Sequence, residues 1–167
     1  IDGNYNRTKS RIRWYGQLFG KIKKPILEQK IKKGLLGTKN YYPMDEFNFS
    51  KDSDFQNIKN NILSSVGPEL VNETIKNQNA VLINRYKRKY YQSYRGDFRI
   101  TMDTNLKYFM PLNNFVYEQP SNYISKNVII ELKYDQDNHE DAKLISNSIP
   151  FRVSKYSKYA NGIEHLY

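Results

Sequence analysis

Charged residues recur at a spacing of two in several separate stretches of this chain. Arg11 and Arg13 lie in SRIRWY, and Glu28, Lys30 and Lys32 in PILEQKIKKG. Tyr86, Arg88 and Tyr90 lie in VLINRYKRKYYQ, Asp97, Arg99, Thr101 and Asp103 in DFRITMD, and Glu131, Lys133 and Asp135 in NVIIELKYD. In extended backbone alternate side chains share a face, so most stretches gather cations and carboxylates on one side. Arginine forks grip phosphate oxygens in pairs, and lysines add point charges. A carboxylate on the same surface can hold a divalent metal and offset the mutual repulsion of the cations. Phosphoryl transfer asks a protein for little more than such cations, a metal and an acceptor held in line. Glu28 and Glu131 are the carboxylates placed among cations of this kind.

Strands must carry these residues. Opposite the charged positions stand Ile12 and Trp14, then Leu27, Gln29 and Ile31, then Phe98, Ile100 and Met102, and finally Val128, Ile130, Leu132 and Tyr134. Period-two alternation of this kind is the signature of half-buried strands. Helical spacing is confined elsewhere. SDFQNIKNNILSSVGPELVNETIKNQ places Ile58, Ile62, Leu63, Val66, Leu70 and Ile75 on a helical stripe. Ser53 with Gln56 reads as a capping box, and Gly67-Pro68 divides the run into two helices. NHEDAKLISNS reads as a further helix ended by Pro150, and KYSKYANGIEHL as a short helix or turn. GQLFGKIKKP, GLLGTKNYYPMD and MPLNNF read as loops. The expected class is α+β, antiparallel and β-rich, with helices inserted between strands. One polar face is ordinary for an antiparallel sheet. The same mixture on several strands points to a sheet closed into a barrel, charged faces inward.

The stretch RYKRKYYQSYRGDFRITMD concentrates the question, with six cations between residues 85 and 103. Parity divides them. Arg88 and Arg99 fall on the charged face, one on each strand of a hairpin turning near SYRGD. Arg85, Lys87 and Lys89 point the other way, and Arg95 sits in the turn.

Composition agrees with a folded, polyanion-directed chain. Its 167 residues suit one domain, and 38% hydrophobic residues with 15 tyrosines exceed what a disordered chain carries. A net charge of +10 points to nucleic acid, an anionic surface or phosphate chains. AT-rich codons can inflate lysine together with Asn, Ile and Tyr, so the arginine placement carries more weight. The absence of cysteine excludes disulfides, thiolate metal sites and cysteine nucleophiles. No apolar run reaches membrane-spanning length, and no signal peptide opens the chain, so a cytoplasmic domain is expected. IDGNYNRTKS lacks an initiator Met and runs straight into a strong strand, so residues upstream are expected.

Several familiar sites fail on spacing. GQLFGKI has too few residues between its glycines for a phosphate loop and carries Ile where a metal-binding hydroxyl belongs. DQDNHEDAKLI lacks the glycine and final glutamate of a calcium loop. His139 and His165 are isolated and read as surface residues, and no Ser-His-Asp arrangement is arguable.

KSRIRWYG, LEQKIKKGLLGTK, RYKRKYYQSYRGDFRITMDTNL, VIIELKY and RVSKYSKYANGI, in that order, resemble the VTC (vacuolar transporter chaperone) domain of the CYTH, or triphosphate tunnel metalloenzyme, superfamily. The resemblance runs over roughly residues 7 to 163. It implies an antiparallel tunnel that binds ATP and polyphosphate and moves the γ-phosphate onto a growing chain, with Mn2+ or Mg2+. It implies catalytic roles at the phosphates for Arg11, Arg13, Arg88, Arg99 and Lys158. Lys30, Lys39, Tyr86, Lys133 and Lys155 would bind phosphate or nucleotide, and Glu131 would hold the metal. The opening E-x-K and Tyr-x-Asp strands of the family have no counterpart here, so the tunnel is expected to lack its N-terminal strand or strands. The implied partners are ATP, polyphosphate and a membrane-protein subunit, with no specific nucleic acid.

Two other readings use the same residues. A triphosphatase of that superfamily would share most of the ligands and release only free phosphate. A non-catalytic polyanion-binding module would stack bases on its aromatics. The aromatics here fall mostly on unpatterned positions or the apolar face, and carboxylates recur among the cations, which disfavours that module.

Overall fold

The computed structural model describes residues 6–34, 36–67, 69–112, 115–118 and 127–167. Their first strands are β1 (Asn6–Arg13), β2 (Gly20–Ile22), β3 (Ile26–Lys33), β4 (Leu36–Pro43) and β5 (Phe47–Phe49). Helices α1 (Phe55–Ser65) and α2 (Glu69–Lys76) follow. Then come β6 (Ile83–Gln92), β7 (Phe98–Leu112), β8 (Phe115–Glu118) and β9 (Ile129–Tyr134), with α3 (His139–Ser148) and α4 (Lys158–Leu166) closing the chain. The class is α+β, and the paired strands with described register run antiparallel. The chain divides into two compact units, Ile1–Val81 with Pro111–Tyr117 and Leu82–Met110 with Glu118–Tyr167.

In the first unit β3 is the centre of a sheet ordered β1-β3-β4. Its apolar face supplies Leu27, Ile12 and Tyr42, which pack with Ile62 and Leu63 of α1, Val66, and Val71 and Ile75 of α2. Burial of that stripe is what fixes the strand parity: a one-residue slip would turn Leu27 to solvent and Glu28 into the core. Beside it, Trp14 and Phe19 pack on Phe49 with ring centroids 5.6 and 5.5 Å apart, anchoring the short β2–β5 ribbon.

Three expectations change here. GLLGTKNYYPMD is not a loop, because β4 pairs with β3 from Leu36 to Pro43. Gly37 and Asn40 weaken its strand propensity, and the edge of β3 overrides that weakness by pairing. GQLFGKIKKP likewise contains β2, held by burial of Ile22. MPLNNF is largely strand too, since β7 runs to Leu112 and β8 begins at Phe115. The division of the helical run into α1 and α2 is as expected, although Pro68 itself lies outside the described residues. The cap of α1 is Asp54 rather than Ser53: its carboxylate accepts from the Gln56 amide at 2.7 Å, while Ser53 Oγ accepts from the Ser50 amide.

The second unit is built on β6, β7 and β9, with β7 between the other two strands. The hairpin joining β6 to β7 turns at SYRGD, as expected. The Ser93 amide donates to the Phe98 carbonyl, and Gly96 takes a φ of 84° that the turn requires of it. Leu106, Tyr108 and Leu166 form the core, with Leu82, Tyr86 and Ile129 packed around them. Helix α4 comes close to the sheet at Gly162, where an added Cβ would lie 2.7 Å from side-chain carbons of Leu82 and Tyr108. Gly162→Ala is therefore expected to lower stability by roughly 1–3 kcal/mol despite the better helix propensity of alanine. A urea unfolding midpoint equal to that of the parent protein would show that α4 does not need the close approach. Among the described residues no helix is long and apolar enough to cross a membrane.

Candidate phosphate site

The register of the first sheet converts strand parity into rows of side chains. Arg11 stands opposite Glu28, which stands opposite Tyr41. Glu28 is buried by the sheet, and its Oε2 accepts from Arg11 Nε at 2.6 Å. Its Oε1 lies 3.0 Å from Arg13 Nε, an ion pair without a well-aligned hydrogen bond. Arg13 also donates to the Tyr15 hydroxyl at 3.2 Å and lies over that ring. Glu28 thus ties down both arginines, and its oxygens are committed to them. In the next row Lys30 stands opposite Lys39, both exposed.

The second unit repeats the scheme around a different carboxylate. Arg88 of β6 stands opposite Asp103 of β7, which is 2% exposed. Arg88 Nε and Nη2 donate to Oδ1 and Oδ2 at 2.5 and 2.7 Å, a bidentate fork. Lys158, the first residue of α4, approaches Oδ2 to 2.7 Å. Both cations lie near the Tyr86 ring, Arg88 at 5.0 Å and Lys158 at 5.1 Å from its centroid, and Tyr90 lies 5.8 Å from Arg88. These contacts agree with the spacing that put Tyr86 and Tyr90 on the charged face with Arg88. Both rings act as platforms for a guanidinium.

Burial alone would raise the Asp103 carboxyl, but hydrogen bonds from Arg88 and Lys158, with their charges, hold it below its ordinary value. The bond to Asp103 raises the Arg88 guanidinium against the opposing effect of burial. Lys158 is positioned by its helix. Ser157 caps α4 by accepting from the Ala160 amide at 3.3 Å. Tyr108 and Tyr156 both donate to Asn161 Oδ1, at 2.8 and 2.9 Å. The positive end of the helix then adds to the Lys158 charge rather than relieving it.

Two further rows complete this face. Gln92, Arg99 and Lys133 stand in line across β6, β7 and β9, so two cations meet with no carboxylate between them. Tyr90, Thr101 and Glu131 form the adjacent row. The Glu131 carboxylate is half exposed and lies 3.6 Å from Lys133 Nζ. The Thr101 hydroxyl beside it is buried and has no hydrogen-bond partner.

The structure therefore brings Arg11 with Arg13, Lys30 with Lys39, Tyr86 and Arg88 with Lys158, and Arg99 with Lys133 and Glu131. Lys155 lies in the extended run before α4, exposed, and no ion pair joins it to the Asp103 group among the described contacts. Sequence reasoning placed Glu28 among cations whose repulsion it could offset, but missed its partners and missed Asp103 as the counter-ion of Arg88 and Lys158. Both stood on the charged parity, and only the register between strands assigns their partners. His139 and His165 form no metal cluster, nor does any group of three or more His, Asp or Glu among the described residues. His139 stacks on Tyr134 instead.

Comparison with protein families matches the VTC domain over residues 1–167, the whole chain. No curated protein and no solved structure matches it.

Proposed function

The chain belongs to the VTC domain family, and from that premise we propose that it is a polyphosphate polymerase-like phosphotransferase. It would bind ATP and polyphosphate on its cationic strand faces and move the γ-phosphate onto the chain. The observation that carries this reading is the Arg88–Asp103–Lys158 group beside Arg99, Lys133 and Glu131. A buried carboxylate fixes two cations by one edge each, and their remaining N–H groups are left for an anion. A closed tunnel of strands belongs to the same proposal. So do a cytoplasmic location and a membrane-protein subunit that takes up the product.

In the transfer, a terminal oxygen of the acceptor chain forms a bond to the γ-phosphorus. The bond from that phosphorus to the β,γ-bridging oxygen breaks, and ADP leaves with its electron pair. Arg88 and Arg99 grip the oxygens on which charge spreads, and Lys158 and Lys133 add point charges. Arg11, Arg13, Lys30 and Lys39 bind phosphate on the face of their own unit. Tyr86 supports Arg88 and Lys158 through a ring contact with each.

Glu131 fits the metal role. It is the carboxylate of its row not spent on an arginine, and the orphaned Thr101 hydroxyl beside it leaves a polar atom for a ligand oxygen. A single protein carboxylate suits Mg2+ or Mn2+ held mainly by phosphate oxygens and water. Glu131 would hold such a metal, which would neutralise charge on the phosphates. Glu131→Gln is expected to weaken Mn2+-dependent triphosphate binding by about 10- to 100-fold, a loss of the size seen when metal sites are disturbed. Calorimetric titrations with and without the metal read this directly. Equal metal dependence in the parent and variant proteins would remove Glu131 from the role.

A further inference from the structure

The charged face of the second unit's sheet is not uniform. On β6 the side chains of Tyr86, Arg88, Tyr90 and Gln92 share that face by parity. Tyr86 packs against the core of Leu106, Tyr108 and Leu166. Tyr90 does not, and it is 61% exposed although it lies within a strand. Arg88 lies over its ring at 5.8 Å, which steadies the ring without covering it. Gln92, the next residue along this face, is also exposed, and its amide has no partner among the described contacts. Tyr91 and Tyr134 are exposed rings of the same sheet, but their parity turns them to the opposite face. The phosphate face thus ends on β6 in a flat apolar surface beside an amide. Binding of phosphate calls for neither.

From this arrangement we propose that Tyr90 and Gln92 form the subsite for the nucleobase of the nucleotide. The base stacks on the exposed ring, and the Gln92 amide meets its polar edge. Any base offers a π-face to an aromatic side chain. A glutamine amide presents a donor and an acceptor side by side, the pair that the edge of adenine takes up. The register supplies the reach. Tyr90 stands opposite Thr101, which stands opposite Glu131, so ring and carboxylate are two strand spacings apart, about 10 Å. A nucleotide laid across the sheet, with its outer phosphates toward Arg99 and Glu131, brings its base to β6. One exposed ring suits one base, whereas single-stranded nucleic acid is held on successive rings. The subsite also separates donor from acceptor: a nucleotide carries the group that it holds, and a phosphate chain does not.

The inference rests on the proposed use of ATP, and equilibrium binding separates the two. The parent, Tyr90→Leu, Tyr90→Phe and Gln92→Leu proteins are titrated with ATP and with ribose 5′-triphosphate, which keeps the sugar and the charge but lacks the base. Metal and salt are held constant, and no primer is present. The parent is expected to bind ATP about tenfold more tightly than the ribose triphosphate, the share that stacking on one ring supplies. Tyr90→Leu should close most of that gap, Tyr90→Phe should keep it, and Gln92→Leu should narrow it by about threefold. Binding of the ribose triphosphate should be little changed throughout. Equal losses of both ligands in Tyr90→Leu would make Tyr90 a support for Arg88 alone and overturn the subsite. So would a parent protein that binds the two ligands equally, a result that depends on no variant. If the base-dependent gap appears and the parent makes no polymer, the subsite stands and the polymerase reading falls.

Discussion

Asp103→Ala should be among the most destabilising single substitutions in this protein, lowering stability by about 3–5 kcal/mol, the range for removing one partner of a buried ion pair. The carboxylate is 2% exposed and accepts from Arg88 twice and from Lys158 once. Without it, two mostly covered cations that now converge on one carboxylate repel each other. An anion can substitute for the lost carboxylate, so tripolyphosphate should raise the melting temperature of the variant more than that of the parent. The pH dependence follows from the lowered carboxyl. A group whose folded pKa is depressed contributes stability above its ordinary value of 3.8 and loses it as pH falls through the folded value. The parent protein should lose stability below about pH 4, and Asp103→Asn should lack that part of the acid loss. Denaturant midpoints for both proteins across the acid range settle it; parallel curves would remove Asp103 from the account.

Arg88→Lys should cost the largest share of activity, about 10²- to 10³-fold in kcat, as when a single charge-stabilising donor is removed from a transition state. Lysine keeps the charge but cannot make the two-point fork to Asp103 or present a second edge to phosphate. Its ammonium can satisfy Asp103 or the phosphate, not both in the geometry seen here. The loss should fall mainly on kcat, with a smaller rise in KM, because the lysine still attracts the ground-state triphosphate. A change confined to KM would make Arg88 a binding residue only.

Parity alone placed Arg11 with Arg13, Arg88 with Tyr86 and Tyr90, and Glu131 with Lys133, because apolar residues on the opposite faces leave the strands no freedom to turn over. What parity cannot supply is the register between strands. Asp103 was legible as a member of the Arg99 face, but its place opposite Arg88 comes from the register that the SYRGD turn sets between β6 and β7, running from Gln92–Arg99 to Lys87–Thr104. Glu28 was legible as a carboxylate among cations, yet its commitment to Arg11 and Arg13 comes from the pairing of β1 with β3. Lys158 entered through family resemblance alone. Its helix is held beside Asp103 by contacts of Asn161 with Tyr156, five residues away, and with Tyr108, 53 residues away. β4 escaped notice because its glycine and asparagine hide an alternation that only its partner strand enforces.

The central claim is that phosphate moves from ATP onto a chain. The direct measurement is incubation of the protein with ATP, Mn2+ and a short polyphosphate primer, with the products resolved by chain length. The account predicts chains longer than the primer, formed together with ADP and lost in Arg88→Lys. Free phosphate with no elongation would mean that the same cations serve hydrolysis, and ATP left intact would mean that they serve binding alone.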